Sequence, residues 1–328
     1  MKSLDSKLKA LNSDPAASEF IICYAADPDM AGGLAPNVDK GVTRAEWHEE
    51  IATMVDEGNI DMLLASVSTM DYLARDRRIF DDSPVTPATR ANDTTDIWFV
   101  RGGTYSNGPS RPFATTTVKE AMYGTLHPEP DQAVDVPIGL WSVTFNNDLE
   151  ADERSLQRYR DFRQEAAAEG FRHFLEVFNP NVDPGLDGPL GAYVNDCIAR
   201  MLAGVPRTSR PEFLKVAYNG PDELEELASG LDVVVGVLGG PPGTANDTFT
   251  LVQQVKKHGG RLALFGRRIK MVDDSKLFTE LLREVADTDL APEEATRAYH
   301  SRLAAAGITP MRSLDEDLVV HTPELLDG

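Results

Sequence analysis

Cysteine is almost absent: Cys23, in a strand-like run, and Cys197, in a helix-like one, are the only two in 328 residues. They build no disulfide framework and no CxxC site, and a reducing cytoplasm is the expected setting. Long apolar runs are absent too. Nothing approaches the roughly 20 residues that a membrane-spanning helix needs, and the first ten residues are charged throughout, so neither membrane insertion nor targeting is expected. Basic residues are few, with 32 Lys and Arg against 53 Asp and Glu and a formal charge of −21. That balance argues against a broad nucleic-acid or anionic-membrane surface, and an anionic substrate would need a local cationic pocket. The surplus also fits a salt-adapted surface. None of the six histidines pairs at metal-ligand spacing, Asp27 with Asp29 is too slight for a metal site, and no GxGxxG, Ser-His-Asp or Cys-His pattern occurs. No metal or organic cofactor is therefore expected.

What is present is alternation. Eight strand-like runs begin at Phe20, Ile60, Ile97, Val136, Phe174, Pro211, Leu231 and Arg261. Helix-like stretches lie over 3–12, 44–57, 69–79, 150–169, 191–203, 222–228, 247–258, 275–286 and 292–306. Thr43-Arg-Ala-Glu46 has the form of a capping box. Residues 81–96 carry no period and read as a surface loop, and the Gly-, Ser- and Pro-rich stretch 102–117 reads as a loop placed for function. Eight alternating units at this length, 41% hydrophobic, predict a (β/α)8 TIM barrel over residues 1–310 with an N-terminal helix, followed by an acidic tail over 311–328. An open doubly wound sheet is the second choice.

A barrel places its chemistry at the C-terminal strand ends. The run Pro211–Gly220 carries Lys215 in its middle. Burying a lone ammonium is costly, so Lys215 is either paired or neutral, and a neutral amine attacks carbonyls. A salt-bridged or snorkelling strand lysine is the bland alternative. Glu176 alternates with Phe174 and Phe178, which predicts an inward carboxylate beside Lys215. Asp27 ends the first run and is placed to orient a hydroxyl or relay a proton. Tyr218, three residues after Lys215, falls on the opposite face of an ideal strand unless the strand end turns it inward. Gly239, Gly240 and Gly266 after the last two runs, with Arg267 and Arg268 as alternative guanidiniums, predict a phosphate cradle, and Arg101 is a further candidate for the anion.

Phe213–Gly220, Leu238–Pro241 and Leu264–Ile269, with Asp27 after the first strand, resemble the class I aldolases of the DeoC/LacD superfamily, especially the archaeal-type fructose-bisphosphate aldolases. The resemblance runs from about Phe20 to Ala305. It implies an aldolase-type barrel, a metal-independent lyase in which Lys215 forms a Schiff base with a sugar phosphate or keto substrate, and Asp27 near it; Glu176 and Tyr218, read from the strand pattern, complete the candidate catalytic set. It also implies phosphate held by Gly239, Gly240, Gly266 and Arg267, and a cytoplasmic homo-oligomer without nucleic-acid or membrane partners. The family's tyrosine acid has no counterpart at the fourth and fifth strand ends, where Phe145, Asn146, Phe178 and Asn179 stand. Two other functions compete: a sugar-phosphate-binding barrel acting as sensor or assembly partner, and a metal-dependent isomerase or lyase using Asp27, Asp29 and Glu176.

Overall fold

A computed structural model describes residues 2–14, 16–38, 40–93 and 99–326. Eight parallel strands close in sequence order into a barrel: β1 (Ile21–Ala25), β2 (Met62–Ala65), β3 (Thr86–Arg90), β4 (Ile138–Thr144), β5 (Arg172–Phe178), β6 (Phe213–Val216), β7 (Val234–Leu238) and β8 (Leu262–Phe265). β1 pairs with both β2 and β8, which leaves no sheet edge. The expected (β/α)8 barrel is what the chain forms, and the doubly wound alternative is excluded.

Period-2 alternation divides the strand residues into two layers. Outward residues such as Tyr24, Leu63, Leu175, Leu214 and Val237 pack under the helices. Inward ones such as Cys23, Met62, Ala88, Leu140 and Leu264 fill the lower barrel. The N-terminal helix Ser3–Ser13 closes the bottom, since its Leu4, Leu8 and Leu11 join that inner cluster. The capping box at Thr43 and Glu46 forms and starts the helix Arg44–Glu57.

The third strand is the one correction to the order of elements. Residues 99–101 are not extended, with Phe99 and Val100 40% and 49% exposed, and residues 97 and 98 lie outside the described ones. β3 comes instead from Thr86-Pro-Ala-Thr-Arg90, inside the stretch expected to be a loop. All five residues are buried, yet none is a large hydrophobe, and a proline inside the run argues against a strand by ordinary sequence rules. The strand is polar because its upper inward position faces charged groups rather than core. The described residues after it, 91–93 and 99–137, form a long excursion over the mouth. Ser110 N–H donates to Asn181 Oδ1 (2.9 Å) and Asn146 Oδ1 (3.3 Å), and Asn181 Nδ2 donates to the carbonyls of Tyr105 (2.7 Å) and Gly108 (2.8 Å).

The acidic tail is docked on the barrel. Asp317 is buried and accepts from Ala245 N–H (2.8 Å) and from His300, while Thr244 Oγ1 donates to the Val319 carbonyl (2.8 Å).

Asp61 ties the barrel bottom together. Its carboxylate, 2% exposed, accepts from Ile22 N–H (2.8 Å), Lys7 Nζ (3.0 Å), Arg283 Nη2 (2.6 Å) and Ser3 Oγ. Burial alone would raise its pKa, but Arg283 and Lys7 outweigh that and hold it below the ordinary carboxylate value. The stabilisation is therefore complete above the unfolded-state pKa of about 3.9 and is lost as pH falls through the lower folded value. Asp61→Asn is expected to cost about 3–5 kcal/mol at pH 7 in urea unfolding, and its deficit should shrink at pH below about 3.

Candidate active site

Lys215 stands in the middle of the four-residue β6, inward and 4% exposed. Across β4–β7 the register sets Ser142 beside Glu176, Glu176 beside Lys215, and Lys215 beside Gly236, so these positions share one layer. One step below, on the same face, Phe174 and Phe213 stack with centroids 4.5 Å apart and planes at 19°. Charged groups above thus rest on an aromatic floor that keeps water from reaching them from below. Gly236 is required by close approach, because a Cβ there would lie 2.5 Å from the Cβ of Leu262.

The lysine is paired. Its Nζ lies 2.5 Å from Glu176 Oε1, and Glu176 is 1% exposed. The other carboxylate oxygen, Oε2, accepts from Ser142 Oγ (3.0 Å) and lies 3.3 Å from Arg90 Nη1. Arg90 Nη1 also donates to Ser142 Oγ (3.1 Å), and Arg90 Nε meets Asp27 Oδ2 at 2.5 Å. Two carboxylates and two cations, all nine-tenths or more buried, form one neutral chain from Asp27 to Lys215. Burial works against the Arg90 charge, but Asp27 and Glu176, with Asp93 beyond them, more than reverse this and raise its pKa above the usual guanidinium value. Asn92, the second residue past Arg90, clamps β4 by donating to the Ser142 carbonyl (2.9 Å) and accepting from its N–H (2.6 Å).

Asp27, Glu176 and Lys215 are thus brought together as expected. Arg90, the guanidinium that joins them, went unnoticed in the sequence because its strand did. Arg101, expected at the third strand end, is exposed in a turn. Tyr218 packs against the layer between barrel and helices, and its hydroxyl, without a partner, is pushed up to about 12 by burial and by Glu223.

At the β7 and β8 ends the glycines are fixed by geometry. Gly240 takes a left-handed φ of 65°, and a Cβ on Gly266 would sit 3.1 Å from the Ala25 carbonyl oxygen. The two arginines that follow differ. Arg268 is buried and donates to the Gly239 carbonyl, to Thr248 Oγ1 (3.3 Å) and to Thr322 Oγ1 (3.3 Å), so it clasps two strand ends to the C-terminal segment. Arg267 is exposed over much of its surface and has no ion pair or hydrogen bond among the described residues. Partial desolvation of its guanidinium lowers its pKa from the ordinary value. Over the ends of β1, β2 and β3, a cavity of about 530 Å³ reaches down to Arg90 between Asp29, Ser66 and Phe113. Among the described residues, no group of three or more His, Cys, Asp or Glu is arranged to hold a metal, and no helix is long and apolar enough to cross a membrane.

No protein-family profile and no curated protein matches the chain. Solved structures do. The chain is similar to a fructose-bisphosphate aldolase from Slackia heliotrinireducens, with TM-score 0.68 and 12% identity over 99% of this chain and 95% of that one. It is similar to an archaeal fructose 1,6-bisphosphate aldolase, with TM-score 0.63 and 14% identity over 86% of this chain and 99% of that one. Another archaeal structure, with the catalytic lysine bound to the carbinolamine intermediate of its substrate, gives 0.63 and 15% over 86% and 99%. The barrel is of aldolase type. At such identities the likeness is one of fold, and the chemistry rests on the residues described above.

Arg90→Met would leave Asp27 and Glu176 buried without the cation between them. It is expected to destabilise the protein by about 3–5 kcal/mol in urea with an unchanged slope, whereas Arg267→Ala should stay within about 0.5 kcal/mol of wild type.

Proposed function

We propose that the protein is a metal-independent class I aldolase in which Lys215 forms a Schiff base with the carbonyl of a phosphorylated sugar or keto substrate. The observation that carries this reading is the buried Lys215 amine, held at 2.5 Å from a carboxylate inside an aldolase-type barrel. A lysine used only for structure gains nothing from sitting on the inward face above an aromatic floor, where each charge must be matched. A lysine used as a nucleophile needs both a proton acceptor in contact and exclusion of water.

In this mechanism Glu176 takes a proton from the Lys215 ammonium, and the free amine adds to the substrate carbonyl. Glu176 then returns a proton to the hydroxyl of the resulting carbinolamine, which leaves as water and gives the iminium. The bond between the carbons α and β to the iminium then breaks, its electron pair forming the enamine, while the β-hydroxyl gives its proton to the Glu176 carboxylate and leaves as the aldehyde. Glu176 thereby fills the acid–base role for which no tyrosine stands at the fourth or fifth strand end. Arg90 and Ser142 hold Glu176 in place, and Arg90 binds Asp27 on the far side. The free Arg267 guanidinium, beside the glycine turns of β7 and β8, would hold the substrate phosphate. Arg268 serves as the clasp rather than the ligand, and Tyr218 and Arg101 have no part in the chemistry. A cytoplasmic homo-oligomer over a barrel domain of residues 1–310 completes the proposal.

One observation favours the second reading, a non-catalytic sugar-phosphate-binding barrel: the cavity at the mouth is lined by Arg90 and not by Lys215. Borohydride reduction separates the two. With dihydroxyacetone phosphate and a panel of ketose and aldose phosphates, it is expected to leave a mass adduct on Lys215 that Lys215→Met abolishes. If no carbonyl compound traps and Lys215→Met alters no activity, the aldolase reading fails. Arg267→Ala is expected to weaken a phosphorylated ligand by about 1.5–3 kcal/mol in calorimetry while leaving trapping of a small neutral aldehyde intact.

A further inference from the structure

The cavity above Arg90 has the size of a small-molecule pocket, and its charge is one-sided. Arg90 is the only cation among the described residues lining it, and that guanidinium is committed to Asp27 and Glu176. Three carboxylates line the same cavity: Asp29, Asp71 and Glu120. Asp71 is matched by Arg75 at 2.6 Å. Glu120 caps its own helix, accepting from Thr117 N–H (3.0 Å) and Oγ1 (2.9 Å). Asp29 meets only neutral donors, Met30 N–H (3.0 Å) and Ser66 Oγ (2.6 Å). Lys270, whose ammonium interacts electrostatically with Asp29, is turned onto the Trp47 ring, 3.7 Å from its centroid, and donates to Asn37. It is not among the lining residues.

We propose that this pocket receives an uncharged polyhydroxyl end of the substrate and excludes a phosphate ester, with Asp29 as the discriminating residue. A phosphate brings nearly two negative charges to a site whose lining holds three carboxylates and, among the described residues, no cation but the committed Arg90, a mismatch that partial dehydration strengthens. A polyol brings hydroxyl donors, for which carboxylate oxygens are acceptors; the Ser66 and Thr116 hydroxyls, which donate to Asp29 and to the Thr117 carbonyl, can accept, and the Thr115 hydroxyl can donate or accept. Phe113 supplies an apolar wall for the C–H face of such a chain. The substrate would then be phosphorylated at one end only, at the Arg267 rim, and neutral at the other. This assignment of ends rests on the aldolase reading, whereas the charge preference of the pocket does not.

The test therefore needs no turnover. In the Arg267→Ala background, which removes the rim guanidinium, xylitol and xylitol 5-phosphate are compared by calorimetry. Xylitol is expected to bind about tenfold more tightly or better, and adding Asp29→Asn, which keeps the shape and removes the charge, should bring the ratio to about threefold or less. Equal or tighter binding of the phosphate ester, a ratio unmoved by Asp29→Asn, or no binding of xylitol overturns the inference. Borohydride trapping on Lys215 is read separately, so its failure counts against the aldolase reading and leaves the affinity ratio to decide this one.

Discussion

A charge buried in a barrel interior must be matched within contact distance, and the chain Asp27–Arg90–Glu176–Lys215 meets that demand with two anions and two cations. Much of the upper barrel follows from it. Ser142 is polar within β4 because it must satisfy both Arg90 and Glu176. β3 is small and polar because Arg90 has to reach across the barrel from it. Phe174 and Phe213 close the floor beneath the ion pair, so solvent does not screen the interactions that offset desolvation.

The same network fixes the Lys215 amine. Lys215 is held by Glu176 and stands above the Phe174–Phe213 pair, almost closed off from solvent. Glu176 is itself held by two donors, so its carboxylate plane is fixed relative to the amine. Fixed donors and acceptors need no reorganisation when a proton moves between them.

The mouth is polarised. On the β7–β8 side, glycine turns lead into a free guanidinium, while on the β1–β3 side carboxylates line the cavity. On a protein with a formal charge of −21, that contrast makes the two sides of the mouth electrostatically unlike at short range. The excursion between β3 and β4, pinned by Asn146 and Asn181, and the docked C-terminal segment, clasped by Arg268, build the walls on which the contrast is displayed.

Local pattern was enough for seven of the strands, for the capping box at Thr43 and for the pairing of Glu176 with Lys215. Alternation within a strand and the neighbour relation of consecutive strands are both legible along the chain. β3 was not, since a buried strand facing charges loses the apolar run by which strands are recognised, and with it went Arg90. Nor could the residues alone separate Arg267 from Arg268: adjacent guanidiniums look alike until the fold brings the Gly239 carbonyl, Thr248 and Thr322 to one of them. The sequence by itself determined the barrel, the inward lysine and its carboxylate, because these depend on periodicity and order. Only the tertiary structure decided which charges meet and which stay free, because contact between Asp27, Arg90 and Glu176 depends on barrel closure, which brings residues far apart in the chain within hydrogen-bond distance.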